Sequence, residues 1–330
     1  MNVFADILSG TILFAVPLIL VALGGMFSER SGIVNIALEG IMIIGALVGC
    51  LFLSAVAKGS WAPGMPQLTM FLAILLAGIS GIVFSLFLAF ASVNLKADQT
   101  ISGTSLNMLA PALAIVVSWA IQGSGQTTIY IPTWIKITQA DFGFAASSAP
   151  SFFERFAFKS FYLTTPIAIA IIVIAAVVLY KTRFGLRLRA CGEHPQAADS
   201  VGVNVYKMRY AGVAISGFLG GIGGLAFTIA VGSGFQSGVS GYGFLALAVM
   251  IFGNWKPLRI AGAALLFAFF KIIGPMSQNI PFLPSFSGVK SSEYIYLMLP
   301  YIVTMIVLAF TSRRSLAPKA EGIPYDKSLR

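Results

Sequence analysis

Residues 181–209 read KTRFGLRLRACGEHPQAADSVGVNVYKMR, a basic and polar island between two long apolar stretches. Six of the chain's 21 lysines and arginines fall here, with two acids and its single histidine. A hydrophilic loop carrying this much positive charge between two spanning segments belongs on the cytoplasmic face of a membrane. Its mixture of Gly, Pro, Ala and charge is that of a structured surface for a cytosolic partner to grip. The flanking stretches therefore read as transmembrane helices, and the rest of the chain can be oriented from this loop.

Composition supports that reading. Hydrophobic residues make up 58% of the chain and charged residues 10%, with a mean hydropathy of +0.91. So little polar surface excludes a soluble domain of this length. The formal charge of +10 is thus a matter of topology, and no aromatic-basic surface points to nucleic acid. Cys50 lies in an apolar run and Cys191 in the basic loop, which argues against a disulfide framework. One histidine without a cysteine or histidine cluster provides no metal-site pattern. The N-terminus, MNVFADILSGTILF, lacks a basic n-region and continues into a full-length span, so it reads as a first transmembrane helix.

A spanning helix needs about 20 mostly apolar residues. Candidate runs lie at roughly 7–25, 40–57, 68–91, 105–121, 161–180, 210–231, 243–253, 258–275 and 293–311. The seventh is too short to cross alone and is expected to be tilted, broken or extended towards Asn254. The expected fold is an all-α polytopic membrane protein of about nine helices, with broken or re-entrant segments. One transmembrane domain covers 1–330, with a cytoplasmic loop at 181–209, an external loop at 122–160 and a cytoplasmic tail at 312–330. This places the N-terminus outside and the C-terminus inside. Cations agree, with fifteen on inside segments against five outside, at Lys58, Lys136, Arg155, Lys159 and Lys290. Lys271 sits within a span near its outer end, a position that favours snorkelling. In the external loop, Phe152, Phe153, Phe156 and Phe158 form an aromatic patch suited to an interfacial anchor or a docking surface.

Two segments interrupt the apolar pattern, 28–40 (SERSGIVNIALEG) and 232–243 (GSGFQSGVSGYG). Irregular backbone survives at membrane depth only when protein or a wet cavity satisfies its amides. The helices that precede the two breaks run in opposite directions, as an inverted repeat would require, with a transport path near the repeat interface. Gly217, Gly220, Gly221 and Gly224 fall at the spacing that lets helix backbones approach closely.

Three stretches together resemble a known group. SGIVNIALEGIMIIGA (31–46) is similar to the signature after the first helix of permease subunits of bacterial ATP-binding-cassette importers, the group handling simple sugars, branched-chain amino acids and nucleosides. LRACGEHPQAADSVGVNVYKMR (188–209) resembles that group's ATPase-contacting loop, and GYGFLALAVMIFGNWKPL (241–258) its later broken segment. The nucleoside (guanosine-type) branch is the nearest match. It is carried by the tail, Leu316-Ala317-Pro318 to Gly322-Ile323-Pro324-Tyr325, and by the Ala97–Thr104 loop before Asn107.

The resemblance implies one permease subunit of a purine-nucleoside importer in a bacterial cell membrane. Its partners are then a cytosolic ATPase, a second and different permease chain, and an extracellular substrate-binding lipoprotein. The chain lacks a GxxxxGK[ST] phosphate loop, so ATP is used by the partner and no cofactor is expected here. Coupling to the ATPase falls on Arg189, Gly192, Glu193, His194, Pro195, Ala198, Asp199 and Gly202. His194 stands where relatives more often carry Asn. Gly192 and Pro195 are expected to break the incoming helix, Gln196–Val201 to form a short one and Gly202 to end it. Asn35, Glu39, Asn107, Trp119 and Gln236 are the polar or aromatic candidates for the substrate path, through hydrogen bonds or stacking. Glu29 and Glu39 have a structural alternative, pairing with Arg30 or facing a helix N-terminus. The competing functions are a permease for sugars or branched-chain amino acids and an ion-coupled secondary transporter. An intramembrane enzyme is disfavoured, because no nucleophile–base pair, metal cluster or paired facing carboxylates stand out, and no catalytic residue is assigned.

Overall fold

The computed structural model describes residues 2–59, 61–138, 160–276, 298–311 and 316–327, with Phe152, Glu154, Phe156 and Tyr296. Phe153 and Phe158, the cations Arg155, Lys159, Lys290, Arg313, Arg314 and Arg330, and the start of the ninth apolar run lie outside the described residues.

Helices form the framework, and among the described residues there is no strand beyond an isolated bridge between Ile129 and Phe235. They are α1 (Asn2–Arg30), α2 (Leu38–Val56), α3 (Trp61–Gly64), α4 (Pro66–Val93), α5 (Gln99–Gln122), α6 (Thr164–Lys181), α7 (Arg183–Glu193), α8 (Pro195–Ser200), α9 (Val205–Val231), α10 (Tyr242–Phe252), α11 (Pro257–Met276) and α12 (Leu299–Thr311). Each of the apolar runs read from the sequence coincides with one of them. Seven are long and apolar enough to cross a membrane, and the chain is a multi-pass membrane protein.

Local chemistry sets several boundaries. The Asp98 carboxylate accepts the Ile101 amide at 2.9 Å and starts α5. Thr182 and Asn204 cap α7 and α9 in the same way, accepting from Gly185 and Lys207. Proline occupies the first turn of α4 and of α8, where its missing N–H costs nothing.

α1 and α9 form the centre, and they run antiparallel. Gly212 of α9 lies against Phe27 of α1 and Ser31 just beyond it, whereas Gly223 lies against Pro17, Leu20 and Val21. Within its apolar window α9 is 83% buried, against 22% for α5, so α9 is enclosed and α5 peripheral. The glycine stripe explains this enclosure. A Cβ on Gly221 would overlap the Ala77 carbonyl of α4, one on Gly224 the Met42 carbonyl of α2, and one on Gly217 Ser85 and the Gly81 carbonyl. Three helices thus meet α9 at backbone distance, where dispersion replaces the hydrophobic drive that lipid cannot supply.

α10 is a half-length element. Its 11 residues cover about 16 Å at 1.5 Å per residue, half of a hydrocarbon core of about 30 Å. At one end the Tyr242 hydroxyl donates to the carbonyl of Phe14, in the middle of α1, at 3.1 Å. At the other, the Trp255 indole N–H donates to the Glu29 carboxylate at the end of α1. The Lys271 ammonium lies 6.0 Å from the centroid of the Tyr242 ring, a cation–π contact beside Ile272, which α11 packs onto Gly10 of α1.

Gly221→Val is expected to cost about 3 kcal/mol or more through overpacking. Gly262→Val is expected to be nearly neutral, since no atom lies within 4 Å of its would-be Cβ. Thermal unfolding of both variants in detergent, followed by size exclusion, checks this pair.

Candidate functional site

Both breaks converge on α2. The 28–40 break is held first by its own turn, in which Ser28 Oγ donates to the Ile33 carbonyl at 2.8 Å. α5 then clamps it: the Gln99 Oε1 accepts the Val34 amide, and Asn107 accepts from the Gly40 amide and donates to the Ile36 carbonyl, all at 2.8 Å. Asn35 turns the other way and donates to Ser216 Oγ of α9 at 2.8 Å.

The 232–243 break is held at its end by Glu39. One carboxylate oxygen accepts the Gly241 amide at 2.8 Å and the other the Gly243 amide at 2.6 Å. A negative group on unpaired amides at the start of α10 suits both hydrogen bonding and the helix dipole. Gly243 has a steric reason as well, since a Cβ there would overlap the Glu39 backbone.

The five residues read as a substrate path therefore separate. Glu39 and Asn107 are used by the backbone of the breaks, and Asn35 retains one buried unpartnered oxygen, Oδ1. Trp119 is 46% exposed on the outer side of α5. Gln236 lines a cavity of about 100 Å³ with Thr228, Ser233, Gly234 and Ser240. That volume is far below the 300 Å³ or so at the small end of drug-sized pockets. Gln99 and Ser216 belong with the clamps but did not stand out in the sequence. The available signal was a lone amide and a lone hydroxyl close to apolar helical runs.

At the basic loop, α6 turns tightly into α7 at Thr182. A Cβ on Gly185 would overlap the Val178 carbonyl, and Thr182 Oγ1 donates back to that carbonyl at 2.6 Å. α7 runs unbroken through Gly192 to Glu193, contrary to the expected break at Gly192. The glycine instead permits contact, because its Cβ would sit 2.5 Å from the Arg30 carbonyl oxygen. The turn falls at His194, and α8 begins at Pro195. Gly202, with φ of +84°, closes α8 as its amide and that of Val203 bond the carbonyls of Asp199 and Ala198.

Gly192, Pro195 and Ala198 face inward, and His194 and Gly202 face solvent. Glu193 pairs with Arg30 at 3.7 Å. The Arg189 guanidinium lies 5.3 Å over the Tyr180 ring. Burial pushes the Cys191 thiol up to about 11, the signature of a packing cysteine. The outward surface of α8 adds Gln196, Ala197, Ser200 and Val201, with Val201 78% exposed. An apolar side chain this exposed on a polar loop is the contact feature that residue type alone did not reveal.

The tail runs along the inward side of α7 and α8, where Tyr325 packs with Cys191 and Ala198. The Ala320 amide donates to the Gly192 carbonyl at 2.9 Å, and the Gly322 amide to Gly32 at 3.3 Å. Arg209, only 1% exposed, donates to the Ile323 carbonyl at 3.0 Å. Burial pushes the Glu321 carboxyl up to about 7, against the pull of its hydrogen bond with Glu29 and of the Arg30 guanidinium. Asp326 pairs with Lys96 in the α4–α5 turn and raises the lysine by accepting its hydrogen bond.

The family model described as branched-chain amino acid transport system / permease component matches residues 7–308. The chain belongs to that family. It is 41% identical to the guanosine ABC transporter permease protein NupQ of Bacillus subtilis, over 100% of this chain and 99% of the relative. It is 40% identical to the nucleoside ABC transporter permease protein NupC of Lactococcus lactis, covering 99% and 98%. To the nucleoside ABC transporter permease protein NupB of the same species it is 25% identical, covering 95% and 82%. No solved structure matches the chain.

Two outcomes follow. Glu39→Ala is expected to destabilise the chain by about 2 kcal/mol or more, because two amides lose a charged acceptor, and Glu39→Gln by less; thermal shift in detergent compares them. For Glu321, the neutral form is the one the docked tail favours. Its contribution is full below the ordinary carboxylate range and is lost as pH rises through about 7. A spin label at Lys319→Cys should gain mobility between pH 6 and 8, and Glu321→Gln should abolish that change.

Proposed function

We propose that this chain is one of two permease subunits of an ATP-driven importer of nucleosides, with purine nucleosides such as guanosine as substrates. The observation that carries this reading is the 41% identity to a guanosine permease across the full length of both chains. The α7–α8 pair is the surface on which a cytosolic ATPase acts, with Val201 and Ala197 outward and Pro195 and Ala198 against the body. Closure of the ATPase displaces α8, and the helices attached through α7 and α9 reorient. The chain binds no nucleotide and catalyses no reaction, and ATP is consumed by the partner. An extracellular binding lipoprotein delivers the nucleoside and carries most of the selectivity, which suits a permease whose polar residues mostly hold its own backbone. The second permease is a different chain. Lactococcus lactis has two such permeases, NupC and NupB, and this chain is similar to both at unequal identity. The N-terminus lies outside and the C-terminus inside.

Uptake of labelled guanosine by cells carrying the complete importer tests the substrate. Unlabelled guanosine should compete, and ribose and leucine should not. Competition by ribose or leucine would move the assignment to a sugar or an amino acid. Uptake that survives ATP depletion and collapses without an ion gradient would make the chain a secondary transporter. Val201→Asp, exposed and remote from the core, should reduce ATPase co-purification several-fold while the permease itself stays folded.

A further inference from the structure

Residues 316–327 form no helix, yet they are pinned along their whole length. The Leu316 amide donates to the Asn254 side chain at 2.7 Å. Pro318 and Ala320 are buried, with Ala320 bonded to Gly192 at the end of α7. Gly322 is bonded to Gly32, and Ile323 to the buried guanidinium of Arg209. Tyr325 is buried in a small cluster with Cys191, Ala198 and Val205, its ring 5.5 Å from that of Tyr206. Asp326 ends the series on Lys96. Chain ends are ordinarily loose unless something ties them down.

What the tail joins is informative. α7 and α8 pack chiefly on α6, α9 and α1, whereas α10 packs chiefly on α1, α2, α11 and α12. The tail bridges the two groups, from Asn254 at the exit of α10 to Gly192 and Ala198 of the loop helices. Arg30 reinforces the same junction, pairing with Glu193 of α7 and donating to the Trp255 carbonyl at 3.3 Å.

The turn at the end of α10 is built on two left-handed residues. Asn254 and Trp255 are consecutive non-glycine residues at φ of +53° and +54°. Side chains rarely adopt this region, and such residues persist only where their surroundings hold them. Here the turn is closed by its own backbone, with the Asn254 and Trp255 amides on the carbonyls of Ile251 and Met250, and is held from outside by the Leu316 amide on Asn254 and the Glu29 carboxylate on the Trp255 indole. Moving the tail therefore acts on the turn from which α10 emerges. The opposite end of α10 lies beside the middle of α1, on Glu39.

We propose that residues 316–326 are a strap that transmits displacement of α7 and α8 to the half-helix α10, and through it to the break beside Glu39. The residues of the strap act by positioning and touch no substrate. This inference rests on the reading of α7–α8 as the ATPase-driven surface and adds the route by which the motion reaches the Glu39 end of α10.

The test uses the complete reconstituted importer with three changes to this chain. Residues 317–326 are replaced by a glycine-serine linker of equal length. Tyr325→Ala loosens the far end. Asn254→Gly removes the Leu316 acceptor and relieves the left-handed residue. ATPase co-purification, ATP hydrolysis and nucleoside uptake per ATP are measured for each. The ATPase should remain bound and active, while uptake per ATP falls about tenfold with the linker and less with either point variant. Spin labels at Ala197→Cys on α8 and Phe244→Cys on α10 should both move when vanadate traps the nucleotide state in the unmodified strap. With the linker, only the α8 label should move. Unchanged uptake per ATP, or an α10 label that still moves, would overturn the strap. Loss of the ATPase from these variants would also overturn it, by making the tail part of the docking surface. Failure of the coupling reading itself looks different: the unaltered chain would transport without any ATPase bound.

Discussion

A backbone that breaks within a membrane must find its hydrogen bonds inside the protein, and in this chain the Glu39 carboxylate provides two of them. It accepts the amides of Gly241 and Gly243 at the start of α10. Lipid offers no acceptor, and each amide left bare would cost several kcal/mol. The half-helix can begin beside the middle of α1 because a negative group stands there. The same logic runs through the other break, where Gln99 and Asn107 of α5 satisfy the backbone between Val34 and Gly40. Polar side chains that sequence reasoning would offer to a substrate are largely committed to the fold.

Close helix contact makes those reaches possible. Glu39 meets Gly243 only because α2 and α10 approach at backbone distance, and α2 is seated by Gly45 against Gly221 and by Gly224 against Met42. Small residues on α9 therefore set the positions of polar residues that α9 does not carry. Asn35 adds a direct link, through Ser216. Packing and hydrogen bonding form one arrangement, with the glycine stripe as its reference surface.

The side bearing the basic loop works by different physics. There α1, α7, α9 and the exit of α10 meet around Glu29, Arg30, Glu193, Arg209 and Glu321, and the tail is laid across them. Burying several ionisable groups together is tolerable only when they share partners, and burial raises the carboxyl of Glu321 to about 7. Such a site holds firmly in one arrangement and is costly to leave halfway, which suits an element that passes motion between rigid helices.

The apolar runs, the basic loop between two of them, the two breaks and the glycine stripe were all legible in the sequence, because hydropathy and spacing are local properties. The short helix after Pro195 was legible too, since proline and glycine impose their geometry on immediate neighbours. Tertiary structure alone decided that Gly192 is a contact point inside a helix, that Lys271 faces Tyr242, and that Glu39 caps a helix some 200 residues away in the chain. It also decided that the polar tail is a packed part of the body. Those facts depend on which surfaces meet, and a hydrogen bond or a close approach between distant segments leaves no periodic trace in either of them.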